Sequence, residues 1–178
     1  MFDQTRNIRL KLPVIGLATL LGGGASAAIS INPGTTFPAG VEPSGVAMAD
    51  FNGDGAADIA TTADGPDRVI ILLNDGAGSY SLGPAAFLPN SSSPQDILSA
   101  DFDGDGDTDL AVALRDPSGA VQILLNTGGG AFVNGQSITV GDRPRGLDAA
   151  DHDGDGDVDL AVANRDDDTA HVLTNNGG

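Results

Sequence analysis

Apolar residues in this chain come in short runs rich in Val, Ile, Leu and Ala, each ended by Gly, Asn, Asp or Pro. Runs of that length between turn formers read as strands. The pattern predicts strands at residues 45–49, 59–63, 68–73 and 79–87, then at 96–100, 110–114, 120–125 and 131–139, and finally at 146–150, 160–164 and 170–174. The fold class is therefore all-β. Aromatic residues make up only 4% of the chain, so packing must rest on the aliphatic side chains.

The strands fall into three units because one stretch recurs. Asp101 to Leu110 reads DFDGDGDTDL; one earlier copy begins at Asp50 and one later copy at Asp151, at steps of 51 and 50 residues. A fixed period of that size indicates a repeat architecture in which each unit is one supersecondary piece stacked on its neighbours. Each copy lies between the first and second predicted strands of its unit, as a loop joining an antiparallel pair.

The chemistry of the loop is that of a hard cation. In the second copy, carboxylates fall at positions 1, 3, 5 and 9: Asp101, Asp103, Asp105 and Asp109. Like charges at this density are costly unless a cation sits among them. Oxygen ligands alternating along a tight loop suit calcium, which takes six to eight oxygens in flexible geometry; magnesium demands a near-ideal octahedron and keeps several waters. Zinc is disfavoured, with no Cys and only two His in the chain. Position 7 (Ala56, Asp107, Asp157) would ligate through its backbone carbonyl, and Gly at position 6 (Gly55, Gly106, Gly156) permits a sharp turn. The loop is not an EF-hand: position 12 is Thr61, Val112 or Val162 rather than Glu, and the flanks are strands.

Taken with the run ending in Asn before a Gly-rich turn (Asn74, Asn126, Asn175), an aromatic after it (Tyr80, Phe132) and a Pro about seven residues before each loop (Pro43, Pro94, Pro144), the loops resemble FG-GAP/VCBS repeats, the calcium-bearing blades of integrin-α-like β-propellers. The resemblance covers about residues 29–178. It implies three four-stranded antiparallel blades, at about 41–90, 91–141 and 142–178, of a partial propeller. It also implies calcium at about three sites, held by Asp50, Asn52, Asp54 and Asp58, by Asp101, Asp103, Asp105 and Asp109, and by Asp151, Asp153, Asp155 and Asp159. The third unit reaches only three predicted strands, while residues 28–40 match a spare outer strand. Three blades are too few to close a ring, since propellers typically have four to eight. Either the chain is part of a longer product or it assembles with copies of itself.

Charge and termini narrow the setting. The formal charge is −17, from 25 acidic against 8 basic residues, which repels nucleic acid and anionic membranes. Arg6, Arg9 and Lys11 precede an apolar stretch at 12–21 too short to span a bilayer, and Ala25-Ser26-Ala27 forms a small-residue cleavage site. Residues 1–27 thus read as an export signal, which places residues 28–178 outside the cell or on its surface, without membrane insertion. No catalytic constellation is legible. The carboxylate pairs recur in three units, which suits a structural ion better than one active site. His152, at loop position 2 where Phe51 and Phe102 stand in the other copies, is expected to pack beside its loop; His171 falls in a strand; Arg143, Arg145 and Arg165 are expected to pair with aspartates. The sequence therefore reads as a non-enzymatic, secreted calcium-binding module for adhesion to a protein or glycan. The alternatives are the accessory repeat region of a secreted polysaccharide-degrading enzyme and a self-associating surface protein.

Overall fold

The computed structural model describes residues 34–64, 67–89, 93–115 and 118–177. The expected export signal at residues 1–27 and residues 28–33 of the expected spare strand lie outside them. Strands but no helix occur among the described residues, and all strands belong to the unit Thr36–Gly178. The first sheet holds β1 (Pro43–Ala49), β2 (Asp58–Ala63), β3 (Arg68–Asn74), β4 (Tyr80–Leu82) and β5 (Ala86–Phe87). The second holds β6 (Pro94–Ala100), β7 (Asp109–Leu114), β8 (Ala120–Asn126) and β9 (Phe132–Thr139). The third holds β10 (Pro144–Ala150), β11 (Asp159–Asn164) and β12 (Thr169–Leu173). Each sheet is an antiparallel meander in chain order, and β4 and β5 share β3 as partner. The three sheets are open blades of an incomplete propeller.

Three details differ from the sequence expectation. The fourth strand of the first blade is broken between β4 and β5: Gly83 N–H donates to the Ile71 carbonyl at 2.9 Å, and Pro84, which has no N–H to give a ladder, follows. The third blade has the three strands that the pattern predicts for it. Residues 34–40 form no strand; Phe37 in that segment packs its ring on Tyr80 with centroids 4.8 Å apart. The recurrent prolines also do more than punctuate. Pro43, Pro94 and Pro144 open β1, β6 and β10, and the register with the second strand slips directly after each of them. Proline tolerates the first position of a strand, and the bulge behind it sharpens the local twist.

Strand alternation divides the core into layers between blades. Leu110, Val112 and Leu114 of β7 face the first sheet, where they meet Ala47, Ala60, Val69 and Ile71. Ala111, between them, faces the third sheet, together with Val121 and Ile123 against Leu160 and Val162. Each such Val, Leu or Ile side chain contributes roughly 1.5–3 kcal/mol on burial, and each Ala less. The inner strands lie side by side. Ser44 Oγ–H donates to the Pro94 carbonyl at 2.7 Å, and Leu147 N–H donates to Asp96 Oδ2 at 3.0 Å. Gly45 permits this approach, because a Cβ there would stand 2.9 Å from the Ile97 nitrogen.

Candidate metal centre

Each aspartate loop is first a hydrogen-bonded turn. The position-1 carboxylate takes backbone N–H groups from positions 4 and 6. Asp50 accepts from Gly53 (2.8 Å) and Gly55 (2.7 Å), Asp101 from Gly104 (2.8 Å) and Gly106 (3.0 Å), and Asp151 from Gly154 (2.7 Å) and Gly156 (3.2 Å). Those glycines all have positive φ, from 75° to 103°, so both positions 4 and 6 need glycine. At positions 3 and 5, Asp103 and Asp105 each accept the N–H two residues on, and Asp153 and Asp155 do the same.

Position 9 ties the loop to the far hairpin. Asp58, Asp109 and Asp159 are buried. In each, Oδ2 accepts the N–H of loop position 2 and Oδ1 accepts the N–H of the asparagine that ends or follows the third strand. The distances are 3.0 and 2.7 Å from Phe51 and Asn74, 3.0 and 2.8 Å from Phe102 and Asn126, and 2.8 and 2.7 Å from His152 and Asn175. The asparagine side chains then link neighbouring blades. Asn126 Nδ2 donates to the Phe51 carbonyl (3.0 Å) and Asn175 Nδ2 to the Phe102 carbonyl (2.8 Å), while Asn74 Nδ2 donates to Ala57 within its own blade (3.0 Å). Sequence reasoning found these asparagines without a role. Their signal was the constant 16 or 17 residues from the position-9 aspartate.

The position-2 side chains follow the same logic. Phe51 is buried against the second blade and meets the Phe132 ring edge-on at 5.6 Å, Phe102 is half-buried, and His152 is exposed. The expected packing of His152 is not found, because no described sheet lies beyond the third blade. Arg143 pairs with Asp166 at 3.3 Å; both are partly exposed, and such a pair adds little stability.

Carboxylate oxygens converge in two loops. Oxygens of Asp101, Asp103 and Asp109 lie within 4.8 Å of one another, as do those of Asp151, Asp153 and Asp159. These triads could hold a metal ion. In the first loop the corresponding residues are Asp50, Asn52 and Asp58, and Asn52 Nδ2 donates to Asp54 at 2.9 Å. Of the predicted side-chain ligands at position 5, Asp105 and Asp155 stand outside these triads and Asp54 accepts the Asn52 bond, while Ala56, Asp107 and Asp157 at position 7 follow along the loop. A carboxylate that accepts one N–H per oxygen keeps further lone pairs for a cation, so the turn bonds and metal binding are compatible. With Asn52 removing one charge, the first loop should bind calcium more weakly than the other two. Asn52→Asp should tighten it, and site-resolved titration that ranks the first loop tightest would refute this.

Electrostatics separate the loops. Burial pushes the Asp109 carboxyl above its ordinary value, against the N–H groups of Asn126 and Phe102, and Asp103 and Asp105 add repulsion. Asp50 is held low, chiefly by the Gly55 N–H; Asp159 by the Asn175 and His152 N–H groups; and Asp75, in the β3–β4 turn, by those of Ser79 and Ala77. The stability added by the three lowered groups is complete above the unfolded carboxylate range and is lost as pH falls through their depressed folded values. Asp109 runs the other way: its charge weakens the metal-free fold at neutral pH, and that penalty shrinks as pH falls below the raised folded value and is gone below the unfolded one. In chelator, wild type should therefore gain on Asp109→Asn as pH falls from neutral toward the ordinary carboxylate value. Paired melting curves measure this, and a difference independent of pH rejects it.

A family model described as FG-GAP-like repeat matches the chain twice, over residues 50–112 and 101–162. Both matches begin on the first aspartate of a loop and run through the following loop, and together they cover more than half of the chain. No curated protein matches it.

Proposed function

The chain belongs to the FG-GAP-like repeat family, and from that membership we propose that it is an exported calcium-binding module of propeller blades that serves in adhesion to a protein or glycan. The observation that carries the reading is the convergence of three carboxylates in each of two loops, on a backbone that already fixes their direction. The raised Asp109 carboxyl supports it, since burial and crowded negative charge are what a bound cation relieves. Oxygen-only donors without Cys favour calcium over zinc. The ion would be held by positions 1, 3, 5 and 9 through side chains and by position 7 through the carbonyl. Its charge would let the position-9 aspartate hold loop and hairpin together while ionised. Repeats of this family are found in adhesion and binding modules, and surface loops are where such a partner would dock.

Calorimetric titration of chelator-stripped protein tests the metal reading. The expected result is saturable calcium binding with a stoichiometry rising toward one ion per loop, little displaced by magnesium. Absence of saturable binding at millimolar calcium rejects it. A glycan array and immobilised extracellular-matrix proteins, probed in calcium and in chelator, test the adhesive role; retention on neither surface rejects that part alone.

A further inference from the structure

The three aspartate loops stand in neighbouring blades, and one side-chain amide lies between each adjacent pair. Asn126, the last residue of β8, is buried. Its Nδ2 has two protons to donate and uses both. One goes to the Thr108 carbonyl of the second loop and the other to the Phe51 carbonyl of the first, each at 3.0 Å. Asn175 repeats the arrangement one blade on. Its Nδ2 lies 3.3 Å from the Val158 carbonyl of the third loop and 2.8 Å from the Phe102 carbonyl of the second.

Both ends of each bridge lie inside a ligand set. Thr108 and Val158 stand at loop position 8, between the carbonyl at position 7 and the carboxylate at position 9. Phe51 and Phe102 stand at position 2, so the peptide that accepts the bridge leads directly into Asn52 and Asp103 at position 3. The amide is also held at its other atom, because Asn126 Oδ1 accepts the Gly128 N–H at 3.0 Å and Asn175 Oδ1 the Gly177 N–H at 3.3 Å. The Phe51 carbonyl takes a second bond from the Gly130 N–H at 2.9 Å, which turns both its lone pairs to the second blade. Neither end of the bridge can therefore shift without drawing the other loop with it.

Charge and geometry act on this link with opposite sign. The first loop carries the carboxylates Asp50, Asp54 and Asp58, and the other loops carry one more each at these positions. A dication in one loop makes the surroundings of the next less negative, which lowers affinity there. That effect is screened over about 8 Å at 0.15 M salt and about 3 Å at 1 M. The bridge is short and is not screened in this way. A cation that draws in positions 7 and 9 of the second loop orders the Thr108 carbonyl and Asn126, and so settles the Phe51–Asn52 peptide before the first loop takes its own ion. An ordering cost already met by one ligand is not met again by the next.

We propose that Asn126 and Asn175 are positioning residues that couple the loops, so that calcium in one loop raises the affinity of the loop beside it. The coupling rests on the calcium reading given above. It joins the first loop to the second and the second to the third, and passes between the first and third only through the second. By linkage each loop of a pair gains the same factor from the other. One neutral hydrogen bond sets that factor at about three- to tenfold.

The test is a calcium titration of the intact, chelator-stripped protein by two-dimensional NMR at about 1 M salt, where the bridge outlasts the screened charge effect. Each loop is read through its own position-6 amide, Gly55, Gly106 or Gly156. Asp103→Ala with Asp105→Ala removes two exposed ligands and empties the second loop. Affinity at both the first and the third loop should then fall about three- to tenfold. Asp153→Ala with Asp155→Ala should weaken the second loop by the same factor. Asn126→Ala supplies the readout that a merely structural role would not move. It should weaken the first loop and abolish that loop's response to the emptied second loop, while the third loop still responds. Three loops that fill independently overturn the coupling and leave the calcium reading standing. So does weaker binding beside a filled neighbour, or a response of the first loop that survives Asn126→Ala. No saturable binding at any loop overturns both.

Discussion

Asp109→Ala is expected to cost the calcium-loaded protein about 2–6 kcal/mol, because two backbone N–H groups, those of Phe102 and Asn126, lose their acceptor together and each costs about 1–3 kcal/mol when left unsatisfied. For a domain of this size that is a fall in melting temperature of roughly 5–20 °C. The loss would extend beyond one loop. Asn126, placed by Asp109, also donates from Nδ2 to the Phe51 carbonyl, so the substitution loosens the contact between the first two blades. Asp159→Ala removes the same pair of bonds and loosens the matching link of Asn175 Nδ2 to the Phe102 carbonyl, so its cost should be of the same order. In chelator the cost of Asp109→Ala should shrink, because the substitution then also removes a charge that burial and its neighbours disfavour. Thermal melts of both variants in calcium and in chelator measure this. A shift below about 2 °C for Asp109→Ala in calcium would show that the carboxylate is not the tie described above.

Most of the fold was legible because local signals and the repeat agreed. The runs at 110–114 and 120–125 lie between turn formers, and the same spacing recurs in the other units, so a strand misplaced in one would have been corrected by the rest. The first strands were read two residues short. Proline looks like punctuation in a sequence, yet Pro43, Pro94 and Pro144 open β1, β6 and β10 and cause the bulge that follows. The loop was legible as a cage of oxygens, but not as a turn that exists without its ion. Asp101 and Asp109 each spend both oxygens on backbone N–H groups, a fact set by the path of the chain and not by residue type. Phe51, Phe102 and His152 looked equivalent by position. Their burial differs because it is decided by the blade that lies next, which no local window contains. Asp96 shows the same limit: its bond to Leu147 crosses between blades, and the first and third repeats carry Gly45 and Gly146 in its place.

Chelation is the other large effect. If calcium occupies the second and third loops at free concentrations about a hundredfold above its dissociation constants, each contributes about 2.7 kcal/mol of apparent stability by mass action. Two such sites amount to about 5 kcal/mol, so excess chelator should lower the melting temperature by roughly 10–20 °C, with a smaller increment from the first loop. The mechanism predicts where the loss appears. The glycines at positions 4 and 6 are held by the position-1 carboxylate, and without a cation that carboxylate faces its neighbours' charge unscreened. Hydrogen exchange at Gly104, Gly106, Gly154 and Gly156 should therefore quicken before exchange in β7 and β8, whose side chains lie in the aliphatic layers between blades. Magnesium at the same concentration should restore only a small part, since it keeps its waters and accepts fewer protein oxygens. Equal melting temperatures in excess calcium and excess chelator, with unchanged exchange at those glycines, would mean that backbone N–H groups alone hold the carboxylates and that the loops are acidic turns without an ion.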